Sequence, residues 1–446
     1  MSSRSGVLLA ALALLAPSCK GNVNDHGVLI SVTDRVSVNA LGVEANFTAL
    51  SPSISGDGRY VAFHSNATNL VSGGTNGVYH VYRKDLVTGI VDLVSVDDAG
   101  VQGNGDSLVP SISADGNLVA FQSSADNLVA GDTNGVSDIF VRDLTLLTTI
   151  RVSVQTGGAE STSYFLTIGN TDPVLSADGA FVAFRSDSTD LSAVPVLFTV
   201  NIYRHDVLSV ATDLVSVNAA GAEPDGNSES PSISSDGRFV AFSSTSSDLL
   251  LAGPTGGLFA QVFVRDMTLG STELCSVSTG GVEGDQNSLS SSISADGTRV
   301  AFHSTSTNLA PDPGLTQNDV FLRDRTASTT TLVSRSSGGV PGVGGCFNAA
   351  LSSDGRYVVY AAGAANLVPS DTNGVPDIFW HDTLTGTTLR VSVGTYGAQA
   401  NDQSGSTSRP VISADGRFTA FESRAYNLVA ADGNTVQDVF VHGPMY

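Results

Sequence analysis

Three loops of this chain place oxygen-bearing side chains at a spacing that could hold a metal ion. Carboxylate or amide groups stand at positions i, i+2 and i+6 of each loop. They are Asp132, Asn134 and Asp138; Asp371, Asn373 and Asp377; and Asp432, Asn434 and Asp438. Calcium binds such oxygens when alternate residues and a later carboxylate wrap around it. The spacing therefore predicts calcium, although the bidentate Glu of a full calcium loop is missing.

The same loops admit an interpretation without a metal. Loops at equivalent positions depart from the pattern: Gly74 replaces the first Asp in one, and residues 252–257 read Ala-Gly-Pro-Thr-Gly-Gly in another. An Asn-Gly pair favours a tight turn, and a neighbouring Asp can accept hydrogen bonds from the backbone. A turn that stabilises the fold is thus the alternative to calcium, and no other cofactor is expected.

No sequence motif typical of a hydrolase or a zinc site is present. Gly-x-Ser-x-Gly and His-Glu-x-x-His are absent, and no Cys and His stand at zinc spacing. The seven His residues do not cluster, so we expect partly exposed strand residues rather than catalytic bases. Cys275 and Cys346 are expected to remain two separate thiols.

The elements that must position these loops follow from an internal repeat. A Ser-rich segment with an Asp-Gly pair, followed by an apolar residue, Ala and Phe, recurs along the chain. Its Asp stands at Asp57, Asp115, Asp178, Asp236, Asp296, Asp354 and Asp415, with spacings of 58, 63, 58, 60, 58 and 61 residues. The series predicts seven structural units of about sixty residues.

Each repeat predicts four short β-strands. In the second repeat these are residues 110–113, 118–121, 138–143 and 151–154. Asp-Gly supplies the positive φ of a tight hairpin, and the apolar run after it is typical of a strand buried on both faces. Recurring residues, such as the Arg-Asp pair at 142–143 and the Asp of Asp-Gly, are expected to make the same structural contact in every repeat.

The two ends of the chain predict how the repeats close. The last repeat stops after its third strand, residues 438–441, while a fourth strand stands alone at residues 34–38. Pairing the two removes an open edge between the first and last units. The sequence therefore predicts an all-β, seven-bladed β-propeller over residues 34–446, with four-stranded antiparallel blades and the N-terminal strand completing the last blade.

Residues 1–18 predict an export signal. Arg4 precedes an apolar run at residues 7–16, which is shorter than the ~20 residues that span a bilayer but suits a signal peptide. Leu15-Ala16-Pro17-Ser18-Cys19 resembles a bacterial lipoprotein signal, which implies a lipidated Cys19 as the mature N-terminus and a tether at residues 19–33. Ordinary cleavage near Ser18 is the alternative.

Charge excludes one class of partner. The chain has 43 Asp and Glu against 21 Lys and Arg, whereas nucleic-acid binding needs clustered Lys and Arg. The acidic excess is compatible with cation binding, although solubility is the reason we expect for it. We expect a monomer that contacts the membrane only through its lipid.

The repeat resembles a known family. Residues 232–237, Ser-Ile-Ser-Ser-Asp-Gly, followed by Val240-Ala241-Phe242, are similar to the Asp-Gly propeller repeat of TolB-like proteins, also called WD-repeat-like. The resemblance covers residues ~34 to 446 and implies a propeller in a class that includes periplasmic scaffolds and peptidase-associated propellers. Seven repeats here differ from the six blades of TolB.

Two functions follow as hypotheses. The first is a cell-envelope binding or scaffold propeller that holds a protein or glycan partner on one face. The alternative is a secreted carbohydrate-active hydrolase or lyase with loop-borne carboxylates at the channel mouth. Irregular segments at Tyr164–Ile168, Leu191–Val200 and Gly339–Phe347 interrupt the repeat, and we expect a partner surface beside the third blade. Serines are expected to line the channel: Ser53, Ser111, Ser232 and Ser292.

Overall fold

The computed structural model describes residues 22–23, 29–162, 169–251, 259–311, 317–430 and 432–445. The predicted signal peptide, Cys19, the Tyr164–Ile168 segment and residues 252–257 lie outside these residues. Every regular element within them is a strand, and no helix there is long and apolar enough to span a membrane. Strands β1 (Asn22–Val23) and β2 (Leu29–Ile30) pair with each other.

The other strands form seven four-stranded antiparallel sheets. Blades 1 to 4 are β4 (Ala49–Ile54), β5 (Tyr60–Ser65), β6 (His80–Asp85) and β7 (Val91–Leu93); β8 (Ser107–Ile112), β9 (Leu118–Ser123), β10 (Asp138–Asp143) and β11 (Thr148–Arg151); β12 (Asn170–Leu175), β13 (Phe181–Ser186), β14 (Asn201–Asp206) and β15 (Ala211–Leu214); and β16 (Ser228–Ile233), β17 (Phe239–Ser244), β18 (Gln261–Asp266) and β19 (Ser271–Leu274). Blades 5 to 7 are β20 (Ser288–Ile293), β21 (Arg299–Ser304), β22 (Asp319–Asp324) and β23 (Thr329–Leu332); β24 (Cys346–Leu351), β25 (Tyr357–Ala362), β26 (Asp377–Asp382) and β27 (Thr387–Arg390); and β28 (Val411–Ile412), β29 (Thr419–Ser423), β30 (Asp438–Gly443) and β3 (Val32–Arg35). The predicted seven-bladed propeller is confirmed.

The N-terminal strand closes the ring as predicted. Strand β3 pairs antiparallel with β30, with Val32 opposite Gly443 and Arg35 opposite Phe440. The contact continues past the strand, because the Val36 N–H donates to the Val439 carbonyl at 2.8 Å. Val36 is fully buried in a cluster that joins blade 7 to blade 1. The paired strand begins two residues before the predicted one, at Val32 rather than Asp34.

The core lies between the blades. In every blade the Phe or Tyr of the second strand stacks on an aromatic residue of the third strand, with ring centroids 5.7 to 6.0 Å apart. Clusters of buried apolar side chains then join neighbouring sheets; Phe184 in blade 3 and Ala120 in blade 2 share one. Since both faces of the second and third strands are covered, these strands contain runs of apolar residues, such as residues 118–121 and 139–141.

Antiparallel pairing gives the propeller two distinct faces. The Asp-Gly turns and the hairpins between third and fourth strands lie on one, which we call the turn face. The connections between second and third strands, and those between blades, lie on the other, which we call the loop face. The three Asp-x-Asn loops therefore lie on the loop face.

Candidate functional site

Each Asp-x-Asn loop encloses an arginine from the fourth strand of its own blade. In blade 2, Arg151 Nη1 lies 3.2 Å from Asp132 Oδ1, 3.3 Å from Asp138 Oδ2 and 2.6 Å from Glu160 Oε1. Oxygens of these three acids lie within 4.8 Å of one another. A guanidinium thus occupies the centre of the acidic cluster.

Blades 6 and 7 repeat this arrangement. In blade 7, Arg35 Nη1 lies 2.8 Å from Glu44 Oε2, 3.1 Å from Asp432 Oδ1 and 3.4 Å from Asp438 Oδ2. In blade 6, Arg390 Nη1 lies 3.6 Å from Asp371 Oδ1 and 3.8 Å from Asp377 Oδ2, and Gln399 replaces the Glu. Blade 1, which has Gly74 in place of the first Asp, has Leu93 in place of the arginine. The acids and the arginine therefore occur together.

The asparagines of these loops stabilise turns. Asn134 Oδ1 accepts a hydrogen bond from the Val136 N–H (3.0 Å), while its amide nitrogen donates to Asp138 Oδ2 (3.0 Å) and to the Ser161 carbonyl (3.2 Å). Burial and repulsion from Asp138 raise the pKa of Asp132 to about 6. These contacts match the turn alternative. Calcium binding stays a prediction. To bind these oxygens, a calcium ion would have to displace the guanidinium of Arg151.

The recurring Arg and Asp residues have structural roles. In blade 2, Arg142 Nη1 donates to Thr149 Oγ1 (3.1 Å) and to the Asp97 carbonyl of blade 1 (3.1 Å). In blade 1, Asp57 Oδ1 accepts from Ser55 Oγ (2.7 Å) and from the Arg59 N–H (2.9 Å). The predicted structural role is confirmed, and the basic residues also bond between blades.

Histidines are more buried than the sequence suggested. His205, for example, bonds Thr212 Oγ1 through Nδ1 (2.9 Å), and only 2% of its surface is exposed. Burial lowers the pKa of six histidines to about 4: His64, His80, His205, His303, His381 and His442. The expectation of partly exposed residues was wrong because neighbouring blades cover both sides of each sheet.

The channel ends at the turn face in a ring of seven backbone hydrogen bonds. The donor and acceptor pairs are Gly56 to Ala114, Ala114 to Ala177, Asp178 to Ser235, Ser235 to Ala295, Ala295 to Ser353, Ser353 to Ala414 and Ala414 to Gly56, at 2.9 to 3.3 Å. Above it lies a cavity of about 250 Å³. Its walls carry at least one large aliphatic residue from each blade, including Ile54, Ile112, Leu175, Ile233, Ile293, Leu351 and Ile412.

Most of the serines predicted to line the channel form hydrogen bonds between neighbouring blades. Ser53 Oγ accepts from the Ile112 N–H (3.1 Å), Ser111 Oγ from the Leu175 N–H (2.9 Å), and Ser292 Oγ from the Leu351 N–H (3.1 Å). Ser232 also lines the cavity, but its buried hydroxyl has no hydrogen-bond partner. The predicted position at the channel is confirmed for Ser53, Ser232 and Ser292.

Sequence reasoning missed two charged residues in the first-strand segments of blades 3 and 7. Arg409 of blade 7 lines the cavity and donates from Nη1 to the Ser291 carbonyl of blade 5 at 3.1 Å. Asp172 has a positive φ of 54°; burial raises its pKa, although the positive charge of Arg185 opposes the shift. Each of the two residues is followed directly by a Pro, and the first repeat has Ser51 at the equivalent position. Aligning the repeats at that Pro would therefore have shown that these two blades carry a charged residue there.

Exposed aromatic side chains mark the loop face. Among the described residues, the four strongly exposed ones are Phe47, Phe198, Tyr396 and Tyr426. All lie in connections of that face, whereas the exposed apolar residues of the turn-face hairpins, such as Leu208 and Leu384, are aliphatic. Trp380 is buried: it stacks on Tyr357 and donates to the Gly416 carbonyl at 3.0 Å.

The loop beside the third blade is held by a single carboxylate. Glu223 Oε1 accepts hydrogen bonds from the N–H groups of Leu197 (3.0 Å), Phe198 (2.8 Å) and Thr199 (3.0 Å). Burial alone would raise the pKa of Glu223, but these bonds outweigh it and the pKa is lowered. Leu197 and Phe198 are thereby presented at the surface, 55% and 69% exposed.

Comparisons with known proteins agree on the fold. No protein-family model matches the chain, and no curated protein matches its sequence. An oligogalacturonate lyase in complex with manganese is 13% identical, with a TM-score of 0.53 over 93% of each chain. The β-propeller domain of the Trilobed protease from Pyrococcus furiosus is 12% identical, with a TM-score of 0.52 over 89% of this chain and 93% of that domain.

TolB is also among the similar structures. TolB from Acinetobacter baumannii is 18% identical with a TM-score of 0.36; the match covers 65% of this chain and 55% of that TolB. This chain therefore spans about half the length of that protein. The two likenesses with TM-scores above 0.5 show, at such identities, the fold alone. The chain is a seven-bladed β-propeller.

Proposed function

We propose that this protein is a monomeric, cell-envelope binding propeller that holds a protein or glycan partner on its loop face without catalysing a reaction. The observation that carries the proposal is the placement of the exposed aromatic residues on that face. Aromatic side chains supply much of the energy of protein interfaces, and a rigid loop loses little entropy when it binds.

Two of these aromatics lie on hydrogen-bonded connections at blade 7. The Tyr426 N–H donates to Asn401 Oδ1 (3.1 Å), and Asn427 Nδ2 donates to the Gln399 carbonyl (2.8 Å). The connection that carries Tyr396 is thus tied to the loop that carries Tyr426. Tyr396 is 97% exposed and Tyr426 is 65% exposed, so both side chains can contact a partner.

Paired variants on opposite faces test the proposal. Envelope proteins of the source cells and a glycan array are probed with wild type, with Tyr396→Ala/Tyr426→Ala, and with Leu208→Ala/Leu384→Ala as the turn-face control. We expect a partner whose affinity falls about 30-fold in the tyrosine variant and is unchanged in the control. Equal binding by all three proteins, or binding lost only in the control, would refute the loop face as the binding surface.

A second function is favoured by one observation, the half-buried carboxylate of Asp172 near Arg185 on the first strand of blade 3. A carboxyl group with a raised pKa in a concave site is a candidate general acid. The protein would then be a carbohydrate-active hydrolase or lyase. Turnover in a polysaccharide panel that is abolished by Asp172→Asn but retained in Asp213→Asn, an exposed carboxylate, would replace the binding proposal with this one.

The anchor and the metal complete the proposal. Lipidation at Cys19 would tether the propeller to the envelope, and replacing Cys19 with Ser should release it from membranes into the soluble fraction.

Calcium at the Asp-x-Asn loops would compete with Arg35, Arg151 and Arg390. A higher melting temperature in excess calcium than in EGTA would support calcium; equal temperatures would leave the arginines as the cations of these loops.

A further inference from the structure

We propose that the channel cavity is a binding site for a small organic carboxylate, held by the guanidinium of Arg409. The site is separate from the aromatic residues of the loop face. It lies inside the ring of blades, between the inner strands.

The charge of Arg409 has no partner of opposite sign. Its one hydrogen bond goes to the Ser291 main-chain carbonyl, and no described Asp or Glu forms an ion pair with it. Burial lowers its pKa to about 10, so it remains a cation at neutral pH. His303 is nearby, and burial together with the charge of Arg409 lowers its pKa to about 4, so it is neutral there. Arg409 is half-buried, and a charge that is partly removed from water is costly unless it is paired; an anion would supply the pair.

A second polar group in the cavity also lacks a partner. Ser232 is 7% exposed, lines the cavity, and has a hydroxyl with no hydrogen bond. Buried hydroxyls are otherwise nearly always bonded. The hydroxyl can donate to a carboxylate oxygen or accept from a ligand.

The remaining walls select the rest of the ligand. Aliphatic side chains from all seven blades surround the space, and the hydrogen-bonded backbone ring lies at its turn-face end. Because its bonds are satisfied within the protein, this ring offers no free N–H group to an anion. The volume of about 250 Å³ exceeds the ~150 Å³ cavity that suffices for benzene. A ligand with one carboxylate and a compact apolar body, the size of benzoate, fits these requirements.

Benzoate and benzamide test the charge requirement on the wild-type protein. The two have nearly the same shape, but only benzoate is an anion. We expect sodium benzoate to bind in calorimetry and to raise the melting temperature, with benzamide at least about tenfold weaker, since hydrogen bonds between charged groups are the stronger ones. Equal binding of the two, or binding of neither, would overturn the proposal.

Variants of Arg409 test the residue itself. Arg409→Gln should weaken benzoate binding about 10- to 100-fold, and Arg409→Lys should retain part of it. Arg424→Gln removes the same charge from an exposed position of blade 7 and should bind as wild type does. Benzoate binding that survives Arg409→Gln, or that falls equally in Arg424→Gln, would refute the site. If Arg409→Gln fails to fold, the comparison of benzoate with benzamide decides.

Discussion

Replacing Gly237 with alanine tests how the Asp-Gly turns hold adjacent blades together. Gly237 has a φ of +71°, and an added Cβ would lie 2.2 Å from Cδ2 and 2.5 Å from Cγ of Phe181 in the preceding blade. Phe181 cannot retreat easily, because the Arg204 guanidinium lies 4.5 Å from its ring centroid on a side chain that also donates to the Gly237 carbonyl at 2.8 Å.

Two costs add up for this substitution. The left-handed backbone costs a non-glycine residue about 1 kcal/mol, and overpacking a filled site costs about 1–3 kcal/mol more. We expect Gly237→Ala to lower the free energy of unfolding by about 2–4 kcal/mol. The control is Gly135→Ala, because Gly135 has the same φ of +71° and nothing within 4 Å of its Cβ position. It should lose only about 1 kcal/mol.

Urea unfolding at neutral pH measures the free energy of unfolding of both variants and of the wild type. A double variant with Phe181→Ala separates the packing cost from backbone strain: once the ring is gone, adding Gly237→Ala should cost no more than it does at Gly135. If Gly237→Ala is no worse than Gly135→Ala, or if removing Phe181 does not reduce its cost, the packing of the turn against the ring is not what requires glycine.

Three further perturbations test other contacts. Arg151→Met should destabilise the protein by about 3 kcal/mol at neutral pH because it leaves buried carboxylates without their cation, and calcium should restore part of the loss of melting temperature. His205 has a pKa of about 4 in the folded protein, against about 6.5 in the unfolded chain. Its contribution to the free energy of unfolding is therefore complete above pH 6.5 and declines as the pH falls toward 4. In parallel thermal melts, His205→Arg should lose less stability between pH 7 and 4.5 than the wild type does. Val36→Ala should cost about 2 kcal/mol by opening a cavity at the closure, whereas Val43→Ala, at a half-exposed position, should change the urea midpoint little.

Local patterns predicted much of the fold. The Asp-Gly pairs and the apolar run after each encode a hairpin between strands that are neighbours in the chain. Because every blade repeats that hairpin, the number of blades follows from counting. Strand β3 is different, because it pairs with a strand far away in the chain. Its partner was still predictable, because the last repeat lacks a fourth strand.

Side-chain roles were harder to predict. The spacing of Asp132, Asn134 and Asp138 indicated a cation, but the cation in the structure comes from Arg151, thirteen residues after Asp138 on another strand. The sequence did show that an arginine also stands on the fourth strands of blades 6 and 7, which carry the same loops. What was not visible was that the fourth strand directs it into the loop.

The sequence by itself determined the strands, the seven blades and the closure, because those depend on short-range hairpins and on a repeat that can be read along the chain. Only the tertiary structure decided what faces the channel. Arg409 and Ser291 are 118 residues apart and belong to blades that are not adjacent, and they meet because the ring brings every inner strand to one axis. Burial of the histidines has the same origin: the packing of whole sheets against each other, rather than any local pattern, sets which side chains are removed from water.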